Sequence, residues 1–218
     1  MTSPLWVYLI GFVGMALYGV RLFVQWYMSE KHKTVESPTL YWVFSAIGSM
    51  IMFLYGCLRN DFAIIFGEFL TFYIFMWNLK AKGVYGRLPR FVPIVQALIP
   101  VAALLILMRD IPEFAANYLR RDDVPLPLML FGMAGLFTFK SRFLYQWIYS
   151  VRHTDSSLPR GCWIIAVAGS VMIITYGAIR HDWVLIVGQL GIIVSIRNIM
   201  IALKYDRKKI SDAETTDR

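Results

Sequence analysis

Apolar residues in this chain come in long unbroken stretches separated by short polar stops, not in the alternation of strands or the stripe of a surface helix. Seven runs stand out: Leu5–Met28, Thr39–Leu58, Phe62–Leu79, Phe91–Met108, Pro125–Tyr149, Gly161–Ile179 and Trp183–Leu203. Each approaches the roughly 20 residues that a helix needs to cross hydrocarbon. The pattern predicts an all-α integral membrane protein with seven transmembrane helices and short loops, which leaves no room for a soluble catalytic domain. The first run has neither a basic leader nor a small-residue cleavage site, so it is read as a span rather than a signal peptide.

The runs repeat. Residues 11–68 align without a gap on residues 132–189. Gly11, Gly14, Arg21, Gln25, Trp26, Ser29 and His32 meet Gly132, Gly135, Arg142, Gln146, Trp147, Ser150 and His153. Pro38, Trp42, Gly48-Ser49, Tyr55-Gly56, Arg59, Asp61 and Gly67 meet Pro159, Trp163, Gly169-Ser170, Tyr176-Gly177, Arg180, Asp182 and Gly188. Each copy holds three spans, and an odd number would invert the second copy. The unmatched run Phe91–Met108 restores its direction. The predicted layout is three plus one plus three, with two parallel repeats related by a pseudo-twofold along the membrane normal, as in SWEET-type carriers. The boundaries are 1–80 for the first repeat, 81–124 for the linker with the fourth span, 125–204 for the second repeat and 205–218 for a tail. The connection Arg109–Val124 either forms a short interfacial helix begun by Pro112 or is a plain linker. Parallel repeats of this kind enclose a site between the copies.

Composition agrees: 58% hydrophobic residues, 17% charged, and a mean hydropathy of +0.56. The net charge of +8 would suggest nucleic acid in a soluble chain, but here it reports topology, and no nucleic-acid partner is expected. Lys31, Lys33, Lys80, Lys82, Arg87, Arg90, Arg152, Arg160 and the tail's Lys204, Arg207, Lys208, Lys209 and Arg218 fall on one side; Arg59, Arg109, Arg120, Arg121 and Arg180 fall on the other. The positive-inside rule puts the N-terminus outside and the C-terminus in the cytoplasm, with the tail disordered after about Lys209. Cys57 and Cys162 belong at opposite ends of their spans and cannot meet as a disulfide.

The string Arg21-x-x-x-Gln25-Trp26-x-x-Ser29-Glu30, then Pro38-x-x-x-Trp42, Gly48, Tyr55, Asp61 and Gly67, resembles the LAB_N membrane domain, named for its occurrence ahead of lipid-A-disaccharide synthase. The second copy shows it again and closes with Gly188-Gln189 and Arg197-Asn198. The first copy departs at its end, with Glu68 for the glutamine and Trp77-Asn78 for Arg-Asn, so the two halves should not do identical jobs. The Pro-Gln hinge of PQ-loop transporters is absent, and the SWEET likeness is one of architecture alone.

Arg21 and Arg142 lie about seven residues from the inner ends of their helices, roughly 10 Å deep. A charge at that depth must be paired, wetted or snorkelled. Gln25 and Gln146 follow one turn later on the same faces. Two such faces would offer a fork of donors for phosphate oxygens, or a structural clamp. Glu68 is the acidic residue within the spans. It could neutralise Arg21 or Arg142, or take up a proton; Gln189 replaces it in the second copy. Lys140, matched by Gly19, and Arg197 add positive charge that favours an anionic ligand, although either could instead reach lipid headgroups. Asn78 and Asn198 close the last helices of the two copies. Trp26, Trp42, Trp147 and Trp163 read most simply as an aromatic belt. Arg59-x-Asp61 and Arg180-x-Asp182 read as outer turns with a capping Asp. His32 and His153 lack companions at metal spacing, and neither metal nor cofactor is expected.

The resemblance implies a context of lipid A and envelope glycolipids in the bacterial inner membrane. The reading drawn from it is a small flippase for an anionic, lipid-linked sugar, a polyprenyl-phosphate sugar or lipid A-type glycolipid. Arg21 and Arg142 would grip the phosphate, Gln25 and Gln146 would orient it, and Glu68 would change partner. Alternatives are a non-transporting lipid-binding accessory subunit of a membrane glycosyltransferase, and a SWEET-like carrier of a soluble solute. No spacing sets a nucleophile beside a base, so no enzymatic role is expected.

Overall fold

The computed structural model describes residues 4–58, 62–107, 125–153, 158–181 and 186–216. Seven α-helices occupy nearly all of them: α1 (Leu5–His32), α2 (Thr39–Leu58), α3 (Phe62–Ala81), α4 (Phe91–Leu107), α5 (Leu126–His153), α6 (Arg160–Ile179) and α7 (Gly191–Thr216), with a 3₁₀ turn at Val84–Arg87. Four segments, Leu5–His32, Thr39–Leu58, Ile64–Ala81 and Arg160–Ile179, are long and apolar enough to cross a membrane; Phe91–Ile106 is apolar but shorter. The proposed capping turns at Arg59–Asp61 and Asp182, and the connection Arg109–Val124, lie outside the described residues.

Large apolar side chains such as Phe12, Phe23, Leu105 and Ile193 are exposed, while Gln25, Asn78, Gln146, Asn198, Ser29 and Ser150 are buried. Polar inside and apolar outside is the arrangement of a chain whose solvent is lipid. Helix ends follow local signals. Lys33 takes φ 60° just after α1, Gly83 takes φ 72° after α3, and His181 takes φ 51° after α6. Pro159 precedes the first residue of α6, where its fixed φ suits helix entry.

The chain packs as two units: residues 1–21 with 39–125, and residues 22–38 with 126–218. α1 therefore contributes its first part to the first unit and its last part to the second. Within each unit the same glycines admit the same neighbours. A Cβ at Gly11 would lie 2.9 Å from the Tyr55 ring, and one at Gly132 would lie 2.8 Å from the matched Tyr176. Gly14 faces Met52, and Gly135 faces Met172. Gly48 meets the Tyr18 ring, whereas Gly169 meets the backbone of the matched Phe139. These contacts bring α1 and α2, and likewise α5 and α6, to small-residue distance.

Two expectations are corrected here. The run Trp183–Leu203 is not one continuous helix: among the described residues a turn at 188–190 interrupts it, and α7 begins at Gly191. The matched Gly67 and Gly188 are 121 positions apart, but the closing Asn78 and Asn198 are 120 apart, so the second copy has lost one residue. One residue rotates an α-helix by about 100°. Around the turn the amides of Gln189, Leu190, Ile192 and Ile193 bond three residues back, to Ile186, Val187, Gln189 and Leu190. Such 3₁₀ geometry gains about 20° per residue over the α-helix, so four residues recover about 80°. Within their own helices the two asparagines make the same bond: Asn198 donates to the Val194 carbonyl at 3.0 Å and Asn78 to the Ile74 carbonyl at 2.8 Å. The second correction concerns the tail. Helix α7 continues past Lys209 to Thr216; residues 204–216 contain no Gly or Pro to stop it.

Candidate functional site

In the first unit a polar cluster forms where α1, α2 and α3 meet. Tyr18 donates its hydroxyl to the Glu68 carboxylate through a short hydrogen bond. Ser49 Oγ reaches the same Glu68 Oε2 at 3.0 Å, and Thr71 Oγ1 reaches it at 3.4 Å. On the other side of Tyr18 the Arg21 guanidinium lies 4.1 Å from the ring centroid and donates to Ser45 Oγ at 3.0 Å. Tyr41 and Phe75 complete the aromatic box, each 5.5 Å from the guanidinium. Tyr18 thus holds the cation on its face and the carboxylate on its hydroxyl. A buried ion loses several kcal/mol of hydration, and desolvated cation–π contacts return about 2 kcal/mol each.

The second unit repeats the scaffold with different chemistry. Arg142 stacks 4.0 Å from the Phe139 centroid and 4.5 Å from Phe143. Ser170 donates to Gln189 Oε1 at 2.9 Å, the counterpart of Ser49 and Glu68. Ala166 stands where Ser45 stands, and Cys162 where Tyr41 stands. Arg21 is 4% exposed and Arg142 5% exposed, so neither side chain snorkels.

A further polar cluster in the second unit ties the end of α1 to α7. The side-chain amides of Gln25 and Asn198 exchange two hydrogen bonds, at 3.0 and 2.9 Å. Gln25 also donates to Ser29 Oγ at 2.8 Å, and Ser29 accepts the Glu36 amide at 2.9 Å, which fixes the turn after α1. Gln146 reproduces the first of these contacts with Ser150 at 2.9 Å. Arg197 is exposed and chelates Glu30, with Nη2 at 3.0 Å from Oε2 and a shorter contact from Nε. Lys140 is half-buried on α5.

The structure therefore gathers Gln25 with Asn198, and sets Glu68 on the hydroxyl and Arg21 on the ring face of Tyr18. It does not gather Arg21 with Gln25 as one fork: Arg21 bonds α2 in the first unit, Gln25 bonds α7 in the second. Sequence reasoning missed Tyr18, Ser45, Thr71 and Glu30. Ser49 and Ser29 carried a signal, because each recurs in the second copy; Tyr18 carried none, because its counterpart is Phe139. The aromatic-belt reading fails for two tryptophans. Trp42 is 0% and Trp163 2% exposed, packed in the cores of their units, while Trp26 and Trp147 are exposed. Cys57 and Cys162 are both free.

Duplicated helical units of this kind, with buried guanidinium groups and apolar exteriors, define a membrane protein. Comparison with known proteins places it further. The family model described as Lipid A Biosynthesis N-terminal domain matches residues 10–80 and again 131–200, and the chain belongs to that family. Among curated proteins it is similar to proteins named lipid-A-disaccharide synthase. These include one from Chlamydia abortus, 27% identical over 92% of this chain and 34% of the relative, and one from Chlamydia caviae, 29% identical over the same shares. Another, from Chlamydia trachomatis serovar D, is 25% identical over 94% of this chain and 35% of the relative. The chain thus spans about a third of the length of the curated relatives it matches. No solved structure matches the chain.

These findings overturn two expectations. The flippase reading is corrected, because the relatives that match more than nine-tenths of the chain are named lipid-A-disaccharide synthase. The SWEET likeness finds no support in them either. The expectation of no enzymatic role is corrected on the same ground: the chain matches part of proteins named as enzymes. Spacing in the sequence could not reveal this, since the matched region is only a part of each relative.

Proposed function

We propose that this chain is the membrane-embedded part of a lipid A disaccharide-forming system, holding an anionic lipid A-type glycolipid in the bilayer for a glycosyltransferase. The reading combines the lipid A biosynthesis family with one structural observation, a guanidinium buried among aromatic rings in each copy. Buried cations inside membrane helices mark ligand sites by default because they are costly to keep. A phosphate or other anionic headgroup is the ligand class that matches them. The acyl chains would stay in lipid.

The proposed setting is the bacterial inner membrane. Seven spans in three-plus-one-plus-three order, with the N-terminus outside, would place the turn after α1 and the end of α7 on the cytoplasmic side, where the basic residues Lys31, Lys33, Lys204 and Arg207 would also lie. The test is to reconstitute a lipid-A-disaccharide synthase in vesicles with and without this chain and to follow disaccharide formation. Faster formation with wild type than with an Arg142→Gln variant is expected. Equal rates in the presence and absence of the chain would overturn the proposal.

A further inference from the structure

The last part of α1, which belongs to the second unit, turns one face outward. Phe23, Trp26, Tyr27 and Glu30 follow at the i, i+3, i+4, i+7 spacing of a single helical face, while Gln25 and Ser29 between them are buried. All three rings are exposed, Phe23 and Tyr27 by more than half. Phe23 and Trp26 meet edge to face, with centroids 6.1 Å apart. The face ends on a charged group. Arg197 of α7 chelates Glu30, with Nη2 at 3.0 Å from Oε2, and Lys33 Nζ lies 3.3 Å from the same oxygen. Two cations thus share one carboxylate, and the three side chains together carry a net positive charge.

The matched face of α5 is different. Leu144, Trp147, Ile148 and Val151 stand at its four positions, and Trp77 is the first copy's counterpart of Arg197. The tryptophan recurs; the other two rings and the ion pair do not. A belt at the membrane surface explains an exposed indole in either copy. It calls for no chelated carboxylate beside the indole. The face also changes character along its length. From Phe23 to Glu30 is about 10 Å of helix, running from a bare phenyl ring, through the amphipathic Trp26 and Tyr27, to the charged group. A glycolipid passes through the same order of environments: acyl chain, sugar ring with its hydroxyls, phosphate.

We infer that this face binds the sugar ring of a glycolipid: Trp26 and Tyr27 pack against the ring, Glu30 accepts its hydroxyls, and Arg197 positions Glu30. The C–H groups of a pyranose form an apolar side that suits the electron-rich plane of an aromatic ring. Its hydroxyl edge needs an acceptor that such rings lack, and a carboxylate supplies one. The positive charge of Arg197 and Lys33 favours a sugar that also bears phosphate. The inference rests on the proposed reading that the chain holds a lipid A-type glycolipid, and it assigns recognition of the sugar to residues other than the buried arginines.

The test separates sugar from phosphate. The probes are short-chain monoglucosyl diacylglycerol, the corresponding diacylglycerol, and phosphatidic acid. Each is titrated against the purified chain in an uncharged polyoxyethylene detergent, which carries no sugar of its own. Wild type is expected to bind the glucosyl lipid about fivefold or more tighter than diacylglycerol. Trp26→Leu should erase that preference and leave the affinity for phosphatidic acid unchanged, and Glu30→Gln should erase it too. Trp147→Leu, which removes the matched exposed indole, should keep the preference. Because Glu30→Gln also breaks the tie to α7, Tyr27→Leu is measured beside it; this exposed ring should lower the preference at an unchanged melting temperature. A preference that survives both Trp26→Leu and Tyr27→Leu, or that falls equally in Trp26→Leu and Trp147→Leu, would overturn the site. Equal binding of glucosyl lipid and diacylglycerol by wild type, with phosphatidic acid bound, would overturn the site and leave the anionic-lipid reading standing. A Trp26-dependent sugar preference without binding of phosphatidic acid would sustain the site and overturn that reading. No binding of any probe by wild type would overturn both.

Discussion

Among the glycines whose surroundings are described, Gly169 should be the one least able to accept alanine. Its added Cβ would lie 2.5 Å from the Phe139 amide nitrogen and 2.6 Å from the Phe139 Cα. Comfortable carbon contacts are about 3.5–4.0 Å, so α5 and α6 would have to part by about 1 Å. No rotamer change relieves this, because the obstacle is backbone. Overpacking of that kind costs about 1–3 kcal/mol. Phe139 also carries Arg142 on its ring, so the strain reaches the cluster. The matched Gly48→Ala meets the Tyr18 side chain at 2.8 Å, and a ring can tilt, so its cost is smaller. Gly19→Ala meets nothing within 4 Å and should gain about 0.5–1 kcal/mol of helix propensity. Thermal unfolding in mild detergent at one fixed scan rate reads the series. At about 2–4 °C per kcal/mol for a chain of this size, Gly169→Ala should melt several degrees below wild type, with Gly48→Ala between them and Gly19→Ala at or above wild type. Gly169→Ala melting with or above wild type would refute the close approach of α5 and α6.

The Gln25–Asn198 amide pair should behave as one unit: Gln25→Leu and Asn198→Leu each strand a buried partner, and the double variant should lose less than the two singles together. Coupling of about 0.6–2 kcal/mol is the range for such bonds in membrane bundles, read from a double-mutant cycle of unfolding; strict additivity would show that the pair does not form. Trp42→Ala should cost about 3–5 kcal/mol because the indole is fully enclosed, and a loss below about 1 kcal/mol would restore the belt reading for that residue. N-ethylmaleimide should label Cys57, which lines an open apolar groove with Met50, Leu54, Ile99 and Ile106, well before the buried Cys162; equal rates in the folded protein would contradict the packing of α6.

Much of the fold could be read from the sequence because hydrocarbon leaves backbone few choices. The bounds of α2 agree with its apolar run to the residue, and three of the glycine pairs that match across the copies, Gly11/Gly132, Gly14/Gly135 and Gly48/Gly169, sit at helix crossings. The polar chemistry was only half legible. Repetition singled out Arg21, Gln25, Ser29 and Ser49, but a residue such as Tyr18, whose role exists in one copy alone, leaves no repeat to notice. The lost residue near Gln189 was visible in the spacing of the closing asparagines, yet the 3₁₀-bonded turn that accompanies it depends on backbone geometry. Trp42 and Trp163 misled because an indole near a helix end suits an interface and a core equally well by position. Function was the least legible, since an arginine in a membrane helix signals an anion without saying whether that anion is moved, held or transformed.

A native mass spectrum of the protein released from mild detergent asks whether the buried arginines hold an anionic lipid A-type glycolipid, as proposed. The wild-type chain should retain a phosphate-bearing glycolipid of lipid A type, lost in Arg142→Gln at unchanged melting temperature. A spectrum showing only neutral or bulk membrane lipids, equally in both proteins, would contradict the proposal.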